Sequence, residues 1–283
     1  MAHPGKAHRP SRRLGQNFLV DESIAEEIVS SIFPGRSDTV LEPGPGHGTL
    51  TRLLLEKAGR VVAVEKDLCL VSELRGKLVQ HTNLTVIAGD ILKVKDSIPA
   101  FNKLVSTPPY NISSKLILFI ADRNFDLASV VFQKEFGGRI VARPGSPDYG
   151  RITVSVTRKL EVEWLRHIPS MAFDPKPKVE SVLLRLRPKR VRTELDERLF
   201  EEMVRGMFTQ RRRLSKGALN HFLSLKYGKR IAKEILAELS VPEERVYELS
   251  IDQFENLSLQ LWRILSKKLT SGQPSTGVNS NDI

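Results

Sequence analysis

The 283-residue chain is 40% hydrophobic and 27% charged, a globular balance that excludes wholesale disorder and leaves room for one large domain or two of ordinary size. No run approaches the roughly 20 apolar residues of a membrane span, and the single cysteine, Cys69, excludes an intrachain disulfide and a cysteine-based zinc site. The 44 Lys and Arg against 33 Asp and Glu give a net charge of +11 and a pI near 9.8, which favours a polyanionic partner through counterion release.

The basic lead, with Lys6, Arg9, Arg12 and Arg13, has no apolar segment of the signal-peptide kind, so a reducing, cytoplasmic setting is expected. A helix with an acidic cap is predicted from Asp21 onward. Short β-rich apolar runs follow at Thr39–Leu41, Val61–Val64, Leu84–Ala88, Lys103–Val105 and Ala128–Phe132. Helical segments separate them at Leu50–Lys57, Leu68–Val79 and Ser114–Ala121. This alternation predicts an α/β fold, a parallel sheet with helices on both faces. Ile152–Thr157 and Val179–Leu186 are read as two further strands. Beyond the basic hinge at Pro188 the spacing of Leu, Ile and Phe is helical only, which predicts a smaller all-helical C-terminal domain. The expected division is 1–190, 191–268 and a disordered tail over 269–283.

The strongest local signal is Leu41-Glu-Pro-Gly-Pro-Gly-His-Gly-Thr-Leu, in which a strand ends and a helix begins. Glycine lets a backbone turn sharply and approach a ligand closely. Position 49 is Thr, so the dinucleotide fingerprint G-x-G-x-x-G is not met. The observed G-x-G-x-G, with Glu42 two residues before Gly44, looks like the S-adenosylmethionine loop of class I methyltransferases; a purely structural turn is the competing reading. Glu65 ends the second strand, where a carboxylate can accept from both ribose hydroxyls. Asp90 ends the third, where it can bind the exocyclic amine of an adenine. Open α/β sheets bind ligands at the carboxyl ends of their strands, and here three features fall on three successive strand ends.

The fourth strand runs into Ser106-Thr-Pro-Pro-Tyr-Asn-Ile-Ser-Ser. A purine amine is a poor nucleophile because its lone pair is delocalised into the ring. A site that methylates it needs acceptors on the two N–H bonds and a flat surface for the base. The side chain of Thr107, the carbonyl of Pro108 and the ring of Tyr110 can supply these, and the prolines stiffen the loop.

With these residues in view, the chain resembles the ribosomal RNA adenine N6-dimethyltransferases of the KsgA type. The resemblance runs from Arg12 to about Lys268. It rests on Leu14-Gly-Gln-Asn-Phe-Leu, Glu42-Pro-Gly-Pro-Gly, Val64-Glu-Lys-Asp, Gly89-Asp and Pro109-Tyr-Asn-Ile-Ser-Ser. It continues through Gln133-Lys-Glu-Phe, Pro144-Gly-Ser-Pro-Asp-Tyr-Gly-Arg and Phe173-Asp-Pro-Lys-Pro-Lys-Val-Glu-Ser. It implies a class I methyltransferase Rossmann-like sheet with S-adenosylmethionine as cofactor and S-adenosylhomocysteine as product. The implied cofactor contacts are Asn17, Leu19, Gly44, Gly46, Glu65, Asp90 and Thr107, and the implied catalytic residues are Thr107, Pro108 and Tyr110. The implied reaction is methyl transfer to two adjacent adenosines in a hairpin near the 3′ end of small-subunit rRNA, with the immature small subunit as partner, no membrane, no metal and a monomeric protein. One position departs from the family's usual Asn-Leu-Pro-Tyr: Thr107 stands where Asn is usual. Its hydroxyl sits on a shorter, branched side chain and is a weaker acceptor for a developing charge.

The basic clusters flank this site. Residues 187–268 carry a net +6 and the first 18 residues a net +4. Arg12, Arg13, Arg211, Arg212 and Lys216 are therefore expected to contact RNA phosphates, and a target adenine must leave its stack to react. His47 reads as a loop side chain, His167 has no nearby ligand partner, and Cys69 reads as packing. Two alternatives accompany the enzyme reading: a ribosome assembly factor with weak or mono-methylating activity because of Thr107, and an enzyme acting on large-subunit RNA.

Overall fold

The computed structural model describes residues 15–190 and 194–270, with the side chains of 269 and 270 excepted. Among the described residues two compact units emerge, one formed by 15–141 with 159–189 and the other by 142–158 with 190 and 194–270.

The first unit is built on a seven-stranded sheet. Its strands are β2 (Thr39–Pro43), β3 (Arg60–Glu65), β4 (Leu84–Ala88), β5 (Lys103–Ser106), β6 (Leu127–Gln133), β7 (Leu160–Ile168) and β9 (Ser181–Pro188). They lie in the order β4-β3-β2-β5-β6-β9-β7. The five strands from β4 to β6 are mutually parallel, and β9 runs antiparallel to both β6 and β7. This is the class I methyltransferase arrangement the motifs imply. Val40, Leu41, Val61, Val62, Leu104 and Val105 are fully buried. Strands covered by helices on both faces read as continuous apolar runs for this reason. A two-stranded sheet pairs β1 (Phe18–Leu19) with β8 (Phe173–Asp174).

The helices α1 (Glu22–Ser30) and α3 (Leu68–Lys77) start where an aspartate stops the extended chain. Asp21 accepts the Ile24 N–H at 3.1 Å and Asp67 the Cys69 N–H at 2.9 Å, each satisfying an orphan donor of the first turn. The others of this unit are α2 (Thr49–Lys57), α4 (Ser113–Ala121) and α5 (Lys134–Ile140).

The second unit is helical: α6 (Arg151–Lys159, its last residue in the first unit), α7 (Glu197–Phe208), α8 (Ser215–Tyr227), α9 (Lys229–Glu238) and α10 (Ile251–Thr270). Its core includes Phe200, Met203, Met207, Leu219, Leu223 and Phe254.

Two sequence expectations, for Ile152–Thr157 and for Cys69, are corrected. Ile152–Thr157 is not a strand but the body of α6. The Ile-x-Val-x-Val alternation is real, yet both sides of the segment are buried. Ser155 donates to Glu201 at 2.8 Å, Arg158 pairs with Glu197, and Val154 sits in the core, while Thr153 takes the Gly150 N–H at 3.1 Å and caps the first turn. Leu160–Ile168, unassigned in the sequence reading, is the edge strand β7; its Glu163 lies opposite Arg185 of β9 and accepts from it at 2.6 Å. Cys69 is exposed rather than packed.

Where one boundary near 190 was expected, the chain passes between the units three times, after 141, after 158 and after 189. The segment 142–158 belongs with the helices because Tyr149 is buried among them, its hydroxyl donating to the Leu249 carbonyl at 2.8 Å. Gly145 N–H likewise donates to the Tyr247 carbonyl at 2.8 Å. The expected tail over 269–283 lies, past Thr270, outside the described residues.

Candidate active site

A cleft opens at the carboxyl ends of β2, β3, β4 and β5. Parallel strands end there together, so the loops that follow them converge on one space.

The glycine loop forms its floor. Gly44, Gly46 and Gly48 have φ of 70°, 58° and 88°, a region that penalises any side chain. A Cβ on Gly46 would also fall 2.8 Å from the ring of Phe18. The loop is held from below: Gly44 N–H donates to the Val64 carbonyl at 2.9 Å, and the Ser106 hydroxyl donates to the Pro43 carbonyl at 2.6 Å.

Glu65, at the end of β3, is buried; one carboxylate oxygen accepts the Gly46 N–H at 3.3 Å and the other the Asp67 N–H at 2.8 Å. Burial pushes its carboxyl pKa up, against the lowering effect of those backbone donors. Each oxygen keeps a second lone pair for a hydroxyl from the cleft. Asp90, after β4, accepts the Leu92 N–H at 3.1 Å and the Lys66 ammonium at 3.0 Å. Burial works against its charge, but these donors hold its pKa below the ordinary value. Glu42, beneath the loop, is completely buried; burial, with the nearby Glu65 charge adding to it, pushes its pKa to about 8, although the Thr51 hydroxyl donates to it at 2.7 Å. That shift favours its protonated form at neutral pH.

Of the residues expected in the site, Asn17, Leu19, Gly44, Gly46, Glu65, Asp90, Thr107 and Pro108 all line the cleft. Leu19 is tied to it by the Thr49 hydroxyl, which donates to its carbonyl at 3.0 Å. Tyr110 does not line it; its ring is half-buried beside the cleft, with its hydroxyl 2.6 Å from Ser181 Oγ. His47 lines the wall, but its Nδ1 lies 2.9 Å from Glu73 and its ring is 4.3 Å from that of Phe18, so it serves the loop as expected. Gln16, Phe18, Lys66 and Asn111 also line the cleft. All four lie inside the motifs quoted above, Gln16 and Phe18 beside Asn17, Lys66 beside Glu65 and Asn111 beside Tyr110, but none was assigned a role from the sequence.

The cleft therefore offers a glycine-floored, largely apolar seat with carboxylates at two strand ends, which fits a ribose and an adenine. Thr107 and Pro108, with a side-chain hydroxyl and a backbone carbonyl, line the same cleft. The profile of the family described as ribosomal RNA adenine dimethylase matches residues 7–261. The chain belongs to that family. A ribosomal RNA small subunit methyltransferase A of Thiobacillus denitrificans is 41% identical over 219 residues, covering 75% of this chain and 85% of that protein. A crystal structure of a dimethyladenosine transferase from Plasmodium falciparum superposes with a TM-score of 0.76 at 28% identity, covering 89% of this chain and 98% of that one. The 23S rRNA methyltransferase ErmE superposes at 0.61 with 29% identity, over 87% of this chain and 99% of that one. The protein is thus an rRNA adenine dimethyltransferase.

For this dimethyltransferase the RNA-facing expectations need one correction. Arg211 is not a free basic face: its guanidinium donates to the carbonyls of Pro147 and Tyr149 at 2.9 Å each and lies over the Tyr247 ring. A planar five-donor fork matches such a carbonyl-lined loop, and the tertiary fold uses it there. Arg212 and Lys216 are exposed, and Arg12 and Arg13 lie outside the described residues.

Proposed function

We propose that the chain transfers methyl groups from S-adenosylmethionine to N6 of two adjacent adenosines in a hairpin near the 3′ end of small-subunit rRNA, acting on the immature small subunit. The observation that carries this is the convergence of Glu65, Asp90 and Thr107-Pro-Pro on one cleft at the ends of β3, β4 and β5, with Tyr110 the next residue of the same loop. Glu65 has lone pairs left for the ribose hydroxyls, and Asp90 presents a carboxylate that stays ionised for the adenine amine. When bound, S-adenosylmethionine supplies an electrophilic sulfonium methyl. Thr107 Oγ1 and the Pro108 carbonyl accept from the target amine and keep its lone pair on nitrogen, and the Tyr110 ring holds the base flat. The similarity to the small-subunit methyltransferase of Thiobacillus denitrificans, at 41% identity, favours the small subunit over the 23S rRNA substrate of ErmE, at 29%.

Mass spectrometry of rRNA from cells with and without the gene tests the reading. Two adjacent dimethyladenosines should disappear from small-subunit rRNA when the gene is lost. Their persistence, or a loss confined to large-subunit rRNA, would overturn it. The half-buried, branched Thr107 favours a second reading, an assembly factor with mono-methylating or weak activity. In that case the lost species is monomethyladenosine, or subunit maturation fails with no change in methylation.

A further inference from the structure

The contact between Tyr110 and Ser181 joins residues 71 positions apart, with 2.6 Å between the phenol oxygen and Ser181 Oγ. Its origin lies in the sheet. β9 is antiparallel to β6, so its first residue, Ser181, pairs with the last residue of β6, Gln133, and with Ile168 at the end of β7. The single reversed strand, second from one side of the sheet, thus delivers the start of β9 to the end where the parallel strands finish, which is the end that holds the cleft. Ser181 is wholly buried there, fixed by backbone pairing on both sides. Tyr110 opens the short turn Tyr110–Ile112 that follows the two prolines and precedes α4. Its backbone is therefore stiff, but its ring is still free to turn about two side-chain bonds.

We infer that Ser181 is a positioning residue for methyl transfer: its hydroxyl holds the para oxygen of Tyr110 and so sets the plane on which the target adenine rests. This rests on the reading of Tyr110 as the base-holding surface. A ring gripped at its far end cannot swing about its side-chain bonds, and the base it carries stays at a constant height relative to Thr107 and Pro108. The orientation is built before the substrate arrives, so it contributes to the chemical step rather than to cofactor capture. Ser181 touches neither substrate nor cofactor in this scheme; it acts through Tyr110.

The test is a double-mutant cycle with Ser181→Ala, Tyr110→Phe and the pair, assayed by methyl transfer to unmethylated small ribosomal subunits. Each single substitution should lower kcat about tenfold or more, with the KM for subunits and the affinity for S-adenosylmethionine little changed. The double variant should be no worse than either single one, because both remove the same bond. With 2-aminopurine in place of the target adenosine in an RNA fragment, stacking on the ring quenches fluorescence, and both variants should lose part of that quench. Wild-type kcat in Ser181→Ala, losses that multiply in the double variant, or a defect confined to cofactor affinity would each overturn the proposal. If Ser181→Ala does not fold, Tyr110→Phe decides, since it removes the bond without touching β9; full activity there overturns the proposal. Tyr110→Ala separates the two levels. Full activity in that variant brings down the base-holding reading and the proposal with it, whereas its inactivity beside a fully active Ser181→Ala overturns the proposal alone.

Discussion

The ammonium of Lys66 lies 3.0 Å from a carboxylate oxygen of Asp90, whose other oxygen takes the Leu92 N–H. Both oxygens are therefore partly engaged at the position proposed for the adenine amine. Lys66 keeps the carboxylate ionised and leaves one lone pair on the shared oxygen for an incoming donor. The pair is open to solvent, with the Lys66 side chain 59% exposed, so its own contribution is at most about 1 kcal/mol. Lys66→Met should weaken S-adenosylmethionine binding by less than about fivefold and flatten its salt dependence. Asp90→Ala should cost about tenfold or more. Calorimetry at two salt concentrations separates the two; equal losses would show that Lys66 itself contacts the cofactor.

Glu65 holds the glycine loop through Gly46 as well as facing the cleft. Glu65→Ala should weaken cofactor binding by about 1.5–3 kcal/mol, the range for hydrogen bonds to a charged group. Glu65→Gln, which keeps one acceptor oxygen, should lose less. Unchanged affinity in the alanine variant would remove Glu65 from the ribose position.

Burial raises the pKa of Glu42 from the usual 4.5 to about 8. Between those values the folded protein holds a proton that the unfolded chain has released. Folding therefore takes up a proton, and stability falls as pH rises through this window, by at most about 1.4 kcal/mol per pH unit. Glu42→Gln, neutral throughout and able to accept from Thr51, should be less sensitive to pH. Thermal unfolding of both proteins from pH 5 to 8 checks this, and parallel Tm curves would contradict it.

Arg211 and its neighbours should separate cleanly. Arg211→Ala strips donors from the carbonyls of Pro147 and Tyr149, and should destabilise the protein by about 2 kcal/mol. Arg212→Ala and Lys216→Ala, both at exposed positions, should leave Tm nearly unchanged. They should weaken RNA binding and reduce the salt slope by about one unit per lost phosphate contact. A salt slope identical to wild type would make these two residues solvated surface.

Thr107 is the departure that bears on rate. On the proposed mechanism the first methylation must orient two hydrogens on the amine and the second only one, for which the Pro108 carbonyl would suffice. Thr107→Asn should raise the overall rate, and Thr107→Val should lower it about tenfold or more while sparing cofactor affinity. Single-turnover transfer at saturating cofactor reads this. A valine variant as fast as wild type would place the acceptor elsewhere in the loop.

The sequence by itself determined the sheet from β2 to β6 and the residues at its strand ends. A strand buried on both faces must be written as a continuous apolar run, and a ligand seat at its end must be written as glycine and carboxylate immediately after that run. Glu65, Asp90 and Thr107 were legible because their positions follow from local order alone. Tertiary structure decided what local order leaves degenerate. Ile-x-Val-x-Val serves a strand or a helix buried on both sides, and the burial of Arg158 and Ser155 made it α6. The charged segment Leu160–Ile168 became an edge strand because Arg185, on β9, lies opposite Glu163. Arg211 reads as phosphate-binding until the carbonyls of Pro147 and Tyr149 are placed around it, more than 60 residues away in the chain. Ser181 likewise gains its meaning from the reversed direction of one strand, which brings it to Tyr110 across 71 residues. Such contacts depend on chain closure over long distances, and no window of sequence contains both partners.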